Sequence, residues 1–325
     1  MILSKVIKNL PVEKVKGSLD KNINGIYYDS RKVSENGLFV CVPGFKVDGH
    51  AYASEVAKRG AVVLIVERDV ENVPEGVTLL YVKDARAALA EVAAAFYEYP
   101  SRKLKLIGVT GTKGKTTTTY MLRSIFEENG EKVGLLGTIN YEFNGEVIPS
   151  KNTTPESLDL EELFLKMVVK KIETCIMEVS SHSLKLHRVR GLEFDTAVFT
   201  NFTQDHLDFH KTFEDYLDAK LMLFRGLDEN SVKSFPKAAV VNLDDSKAAD
   251  FIKAAKVKAI TYGLTSKIGP DVTAKNIISS AQELSFEIVY RDKILPVKLQ
   301  MRGRHNISNA LAAAATGFAM NIHPD

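Results

Sequence analysis

The stretch LIGVTGTKGKTTTTYML, Leu106 to Leu122, constrains this chain more than any other. An apolar run of strand length enters a loop holding Gly111 and Gly114, and the loop enters a threonine-rich helical pattern. Strand, glycine turn and helix in that order form the first half of a βαβ unit, whose next strand must return parallel to the first. The alternation continues downstream with KVGLLGT, a helix near Leu158 to Lys170, TCIMEVS, FDTAVFTN, a helix ending at Phe224, and AAVVNLD. Apolar strands alternating with helices predict a mostly parallel sheet covered by helices on both faces, with ligands gathered at the carboxyl ends of its strands.

A chain of 325 residues is long enough for two domains. Its first hundred residues open on short elements and turn signals, then show a helix from Tyr52 to Arg59, a strand from Ala61 to Val66, and an alanine-rich helix from Asp84 to Tyr99 that Pro100 stops. The prediction is a small α/β domain over 1–100 and a larger α/β central domain over 101–325, closing with a strand-rich stretch near Val272 to Leu299 and a helix from about Ile307. The longest clearly apolar run, AVVLIV, is far below the roughly 20 residues that cross a bilayer, and MILSKVIKNL lacks a signal-peptide core. These features predict a cytoplasmic protein with no membrane insertion. A net charge of +2, without basic runs interleaved with aromatics, argues against nucleic acid. Cys41 and Cys175 lie in apolar strand-like surroundings and read as reduced core residues.

Chemistry concentrates at the predicted strand ends. In GVTGTKGKT the glycines let backbone N–H groups and a helix N-terminus face an anion, Lys115 reaches the terminal phosphates, and the Thr116 hydroxyl reaches a magnesium ion. Val109 stands where the strict phosphate-loop pattern has its first glycine, yet the strand-loop-helix setting favours a nucleoside triphosphate over a plain turn. Glu178 closes an apolar strand, where a carboxylate is costly unless paired or bound to metal. A hydrolase using Ser180 or Ser181 with a histidine is the rival there, but no G-x-S-x-G elbow is present. NFTQDHLDFHKTF carries Asp205, His206, Asp208 and His210; the two histidines, four apart, could pair on zinc or merely cap and solvate. Lys220 falls on an apolar stripe of Phe213, Leu217, Leu221 and Phe224, so it either snorkels or is kept as a neutral amine for chemistry, including capture of carbon dioxide. Thr153 and Thr154 lead into a proline-started helix and either cap it or hold a ligand.

The segments DSRKVSENGLFV, GTKGKTTT, NTTPESLDL, MEVSSHSL, HRV, FTNFTQDHLDFH, YLDAK and GRHNISNALAA run in this order from about residue 29 to 313, and together they resemble the Mur ligases, most closely the MurE branch. The resemblance implies an ADP-forming, ATP-dependent amide ligase of peptidoglycan synthesis. It would activate the D-glutamate carboxylate of UDP-N-acetylmuramoyl-L-alanyl-D-glutamate as an acyl phosphate and join it to a diamino acid, meso-diaminopimelate or L-lysine. It implies further that Ser30 contacts the UDP moiety while Thr153, Thr154, Ser180 and Arg188 grip the precursor from the second domain. Gly111, Thr112, Lys113, Gly114, Lys115, Thr116, Thr117 and Asn306 would bind ATP. Thr116, Glu178 and His206 would ligate Mg2+, and Lys220, as a carbamate, would support a second ion; Lys115, Glu178, His206 and Lys220 would carry the catalysis. Family members continue into a third domain, so the chain as given is expected to bind precursor, and ATP weakly, without completing ligation alone; a monomer is expected. A related ligase, MurF or folylpolyglutamate synthase, and a non-catalytic nucleotide-sugar-binding module are the alternatives.

Overall fold

The computed structural model of the chain describes residues 1–45, 47–205, 208–228, 231–280 and 284–324. The chain forms two compact units. One comprises Met1–Pro100, Pro155–Leu165 and Leu186–Gly191; the other comprises Ser101–Thr154, Lys166–Lys185 and Leu192–Asp325.

The first unit runs α1 (Leu3–Val6), β1 (Lys14–Lys16), β2 (Gly25–Tyr27), β3 (Gly37–Val40), α2 (Ala53–Lys58), β4 (Ala61–Val66), β5 (Thr78–Tyr81) and α3 (Ala85–Phe96). Among the described residues its sheet has the order β1-β5-β4-β3-β2, with only β1 antiparallel. Successive residues of each strand go to opposite cores, as period 2 demands. Leu38, Val40, Val63 and Ile65 pack with Leu89 and Val92 of α3, whereas Phe39, Leu64 and Val66 pack with Val56 of α2. Each fully buried side chain of this size contributes about 1.5–3 kcal/mol by leaving water. Asp84 caps α3, its Oδ1 accepting from the Ala87 N–H at 2.9 Å.

The second unit runs β6 (Lys105–Thr110), α4 (Lys115–Glu128), β7 (Val133–Leu136), β8 (Asn140–Phe143), β9 (Glu146–Pro149), the end of α5 (Ser157–Val169), β10 (Thr174–Glu178), α6 (Ser181–Lys185), β11 (Thr196–Phe199), α7 (Phe213–Arg225), β12 (Ala238–Asn242), α8 (Ala248–Ala254), β13 (Ala259–Tyr262), β14 (Val272–Ser279), β15 (Leu284–Tyr290), β16 (Lys293–Leu299) and α9 (His305–Ala319). Its described sheet orders as β16-β15-β14-β13-β12-β11-β6-β10-β7-β8-β9. Strands β14, β13, β12, β11, β6, β10 and β7 are mutually parallel, and antiparallel pairings extend both sides through β15 and β16 and through β8 and β9. Helices α4 and α9 cover one face through Leu122, Phe126, Ile307 and Leu311, packed on Ile107, Val109, Ile176 and Val198. On the other face Phe199 stacks on Phe251 of α8 at 3.7 Å, and Phe224 of α7 meets the same ring edge-on at 5.0 Å. Pro296 sits in the edge strand β16 and Pro149 in the edge strand β9. Among the described residues no helix is long and apolar enough to cross a membrane.

Register decides where the chemistry collects. Glu178 pairs with Val109, and Phe199 pairs with Thr110. The chain therefore leaves β6, β10 and β11 along one carboxyl edge, where the next residues are the glycine loop, Val179-Ser180 and Thr200-Asn201.

Candidate functional site

The loop after β6 is held open by two glycines that cannot be replaced without strain. Gly111 has φ +148°, and a Cβ there would lie 1.9 Å from Thr200 Oγ1; Gly114, with φ +85°, caps α4 and would place a Cβ 2.5 Å from Asn309 Oδ1. Asn201 braces the turn. Its Oδ1 accepts from the Lys113 N–H at 2.9 Å, its Nδ2 donates to the Lys113 carbonyl at 2.9 Å, and its own carbonyl accepts from the Thr112 N–H at 2.8 Å. The Thr200 hydroxyl donates to the Lys113 carbonyl at 2.7 Å. So braced, the loop presents the amino end of α4 in advance of any ligand, which is the arrangement that favours an anion.

Two lysines converge on this loop. Lys115 Nζ donates to the Gly111 carbonyl at 2.9 Å and to that of Thr112 at 3.1 Å, while Lys220 Nζ, from α7, donates to the same Gly111 carbonyl at 3.0 Å. Burial lowers the pKa of both, and the charge on Lys115 lowers that of Lys220 further. Lys220 is 2% exposed and sits over the Tyr216 ring at 4.6 Å. The buried face of α7 includes Tyr216, Lys220, Leu221, Leu223 and Phe224, so Leu221 and Phe224 of the expected stripe are buried with Lys220 while Phe213 and Leu217 are only half-buried and Tyr216 is added. Tyr216 scores as amphipathic, yet its hydroxyl has an internal partner in Thr112 Oγ1 at 3.2 Å, and this lets the whole ring go inside.

Glu178 is 1% exposed, and its hydrogen-bond partners are neutral. Oε1 accepts from the Thr116 hydroxyl at 3.0 Å and the Thr138 N–H at 2.8 Å, and Oε2 accepts from the Thr138 hydroxyl at 3.2 Å. Thr138 Oγ1 in turn lies 3.1 Å from Thr153 Oγ1. Thr154 Oγ1 donates to the Glu178 carbonyl at 2.9 Å and accepts from the Ser180 N–H at 3.2 Å, and Ser180 Oγ caps α6 by accepting from the Ser183 N–H at 3.1 Å. Lys115, Thr116, Glu178, Thr153, Thr154, Ser180 and Lys220 are thus brought to one edge of one sheet. A buried carboxylate beside a hydroxyl offers the hard oxygen atoms that divalent cations of the magnesium type prefer. Asn306 lies on α9, its Nδ2 donating to the Arg302 carbonyl at 2.7 Å and its Oδ1 accepting from Asn309 Nδ2 at 3.0 Å. Asn309, Asn201, Thr138 and Thr200 went unread in the sequence; only Asn309 left a local signal, its i, i+3 spacing from Asn306.

His206 falls outside the described residues. His210 is wholly buried, with Nε2 2.9 Å from Ser181 Oγ and Nδ1 3.2 Å from Asp215 Oδ2. Both nitrogens are engaged, so neither is left for the zinc pairing that the spacing allowed. Ser181, His210 and Asp215 follow the order of a hydrolytic triad, but Ser181 is 1% exposed and no acyl group reaches it.

In the first unit Ser30 opens a short 3-10 turn capped by Asp29, whose carboxyl is held down to about 2 by the Arg31 guanidinium. Ser30 lines an open cavity of about 640 Å³ together with Tyr28, Arg31, Tyr52 and Arg86. Arg188 also belongs to this unit. Its guanidinium pairs with Glu156 at 2.7 Å, and its neighbours His187 and Arg190 pair with Asp84 at 3.3 Å and Glu91 at 3.1 Å. These pairings across long stretches of chain tie Leu186–Gly191 to the first unit, while Thr153, Thr154 and Ser180 belong to the second. Cys41 and Cys175 are buried free thiols, and burial pushes Cys41 up to about 12.

Strand β6, its glycine loop, the folded-back lysine and the amino end of α4 have the build of a phosphate-binding P-loop in an α/β protein. Residues 109–317 match the Mur ligase middle domain, and residues 22–97 match the Mur ligase family, catalytic domain. The chain belongs to the Mur ligase family. The UDP-N-acetylmuramoyl-L-alanyl-D-glutamate--2,6-diaminopimelate ligase 1 of Clostridium acetobutylicum is 45% identical over 315 residues, covering 97% of this chain and 63% of its own length. The ligase of that name from Caldanaerobacter subterraneus is 46% identical over 309 residues, covering 95% and 62%. A solved structure of a UDP-N-acetylmuramoyl-L-alanyl-D-glutamate--2,6-diaminopimelate ligase superposes with a TM-score of 0.82 at 25% identity, over 100% of this chain and 66% of that one. The chain spans a little under two thirds of the length of these relatives.

Proposed function

We propose that the chain is the precursor- and ATP-binding part of a cytoplasmic ADP-forming ligase that joins diaminopimelate to the D-glutamate carboxylate of UDP-N-acetylmuramoyl-L-alanyl-D-glutamate. The observation that carries this reading is the convergence of Lys115 and Lys220 on the Gly111 carbonyl, with the Thr116–Glu178 pair beside it. In the reaction the carboxylate oxygen attacks the γ-phosphorus of ATP, the β–γ bridging bond breaks and ADP leaves. The amine then attacks the acyl carbon, phosphate leaves and the amine gives up a proton. Two anions must meet, so the site's task is electrostatic: the amino end of α4 and Lys115 offset phosphate charge and hold the γ-phosphoryl group in line.

Thr116 and Glu178 fit a magnesium ion, which when bound supplies further charge neutralisation between the phosphates and the acid. His206 is proposed as a third ligand. Lys220 fits carbamylation because burial favours its neutral amine. Asn306 is proposed near the adenine, and Ser30 and Arg188 in the first unit, with Thr153, Thr154 and Ser180 in the second, as precursor contacts. The proposed division gives the nucleotide sugar to 1–100 and ATP to 101–325, except that Pro155–Leu165 and Leu186–Gly191 fold with the first unit.

Calorimetry tests the proposal. The chain binds Mg·ATP and the UDP-dipeptide precursor, Lys115→Ala abolishes the first while sparing the second, and Ser30→Ala weakens only the second. Folate affinity without precursor affinity would point instead to folylpolyglutamate synthase. Precursor binding with no ADP release, even after the remaining third of the relatives' length is supplied together with diaminopimelate, would make it a binding module.

A further inference from the structure

His210 takes no part in the chemistry as drawn, yet it is among the most buried polar groups of the second unit. Its Nε2 faces the hydroxyl of Ser181, the first residue of α6 and three residues beyond Glu178. Its Nδ1 faces Asp215 in the first turn of α7, five residues before Lys220. Asp215 is joined to α6 a second time by Lys185, at 2.8 Å. The His210 ring packs on Tyr216 at 5.0 Å, the ring over which Lys220 sits and whose hydroxyl meets Thr112 of the glycine loop. His182 of α6 packs against Phe209 at 4.1 Å with the rings tilted by 31°, closing the same cluster from the side. Burial lowers the imidazole's pKa against the opposing pull of Asp215, which favours the neutral ring. One tautomer then satisfies every partner: Nδ1–H donates to the Asp215 carboxylate, and Nε2 accepts from the Ser181 hydroxyl.

We propose that His210 is a positioning residue which, by spanning Ser181 and Asp215, sets the separation of α6 from α7 and so holds the Lys220 amine over Tyr216 in the dry setting where it captures carbon dioxide. The proposal rests on the carbamate reading given above. In that step the neutral Nζ lone pair forms an N–C bond to carbon dioxide, one C=O π pair moves onto oxygen, and the nitrogen gives up a proton to solvent, leaving a carbamate anion. Without the strut α7 is free to move off α6, and the Tyr216 ring and the Gly111 carbonyl no longer hold Nζ in that setting.

The test is a ¹³C NMR measurement on the whole chain equilibrated with ¹³C-bicarbonate, with Lys220→Ala identifying the carbamate signal and binding of a fluorescent ATP analogue checking that each variant keeps its loop. The wild-type chain shows the signal. Ser181→Ala, which deletes one oxygen, and His210→Ala lower the equilibrium constant for carbamate formation, read from a bicarbonate titration of the signal, by about fivefold, the equilibrium factor of one ordinary hydrogen bond. His210→Asn, whose amide can still donate to Asp215, recovers part of it. If His210→Ala loses the analogue, Ser181→Ala carries the test alone. An unchanged constant in Ser181→Ala, and in a folded His210→Ala, overturns the role of His210 while leaving the carbamate intact. No signal in the wild-type chain overturns the carbamate and this role with it.

Discussion

Lys220 is a liability to the fold in the form that water prefers. Burial depresses its pKa below the ordinary value of about 10.4, so at neutral pH the unfolded chain holds the proton more tightly than the folded one and folding is opposed. That opposition fades as pH rises through the ordinary lysine range. Lys220→Met should therefore raise stability at pH 7 by about 1 kcal/mol, and the gain should shrink towards pH 10, read by denaturant unfolding in carbonate-free buffer. A gain independent of pH would mean that the charge is not the cause. Lys220 was legible in the sequence because a cation on an apolar stripe is conspicuous. His210 was not, since its partner Ser181 lies 29 residues away and nothing local distinguishes it from a capping or metal-binding histidine.

At the scale of elements, α7 depends on its first turn. Thr212 caps it, its hydroxyl accepting from the Asp215 N–H at 3.1 Å, and Asp215 is the residue that both His210 and Lys185 grasp. Thr212→Ala should cost about 1 kcal/mol of local stability, seen as faster amide hydrogen exchange across 213–225 with little change in β6. Exchange accelerating equally in both would show that the cap is not a local device. Helix α7 was predicted from its period, and Lys220, Leu221 and Phe224 of its expected stripe are buried, but Tyr216 was missed because hydrophobicity underrates a tyrosine with an internal partner. The glycine loop was the most readable element, as a strand, two glycines and a helix admit few conformations. Its brace, Asn201, was not readable, because an asparagine after a strand looks like any turn residue until the neighbouring strand is known.

At the scale of the molecule, the βα alternation fixed the parallel centre of the larger sheet in advance, while its antiparallel margins escaped notice. Strands β8 and β9 are four residues each, too short for a periodic signal, and β14 to β16 were seen only as a strand-rich stretch. Nor could any local pattern announce that Leu186–Gly191 joins the first unit through ion pairs to distant residues.

Those margins bear on how the protein behaves in a crowded cell. A long sheet ending in bare strands invites another copy to add on, and each rim here carries an imino acid, Pro296 or Pro149, that offers no hydrogen to a docking neighbour. Pro296→Val, which also favours extended backbone, should therefore increase self-association with rising concentration relative to the wild-type chain, visible by sedimentation velocity. An unchanged sedimentation profile would mean that Lys293 and Lys298 alone keep copies apart.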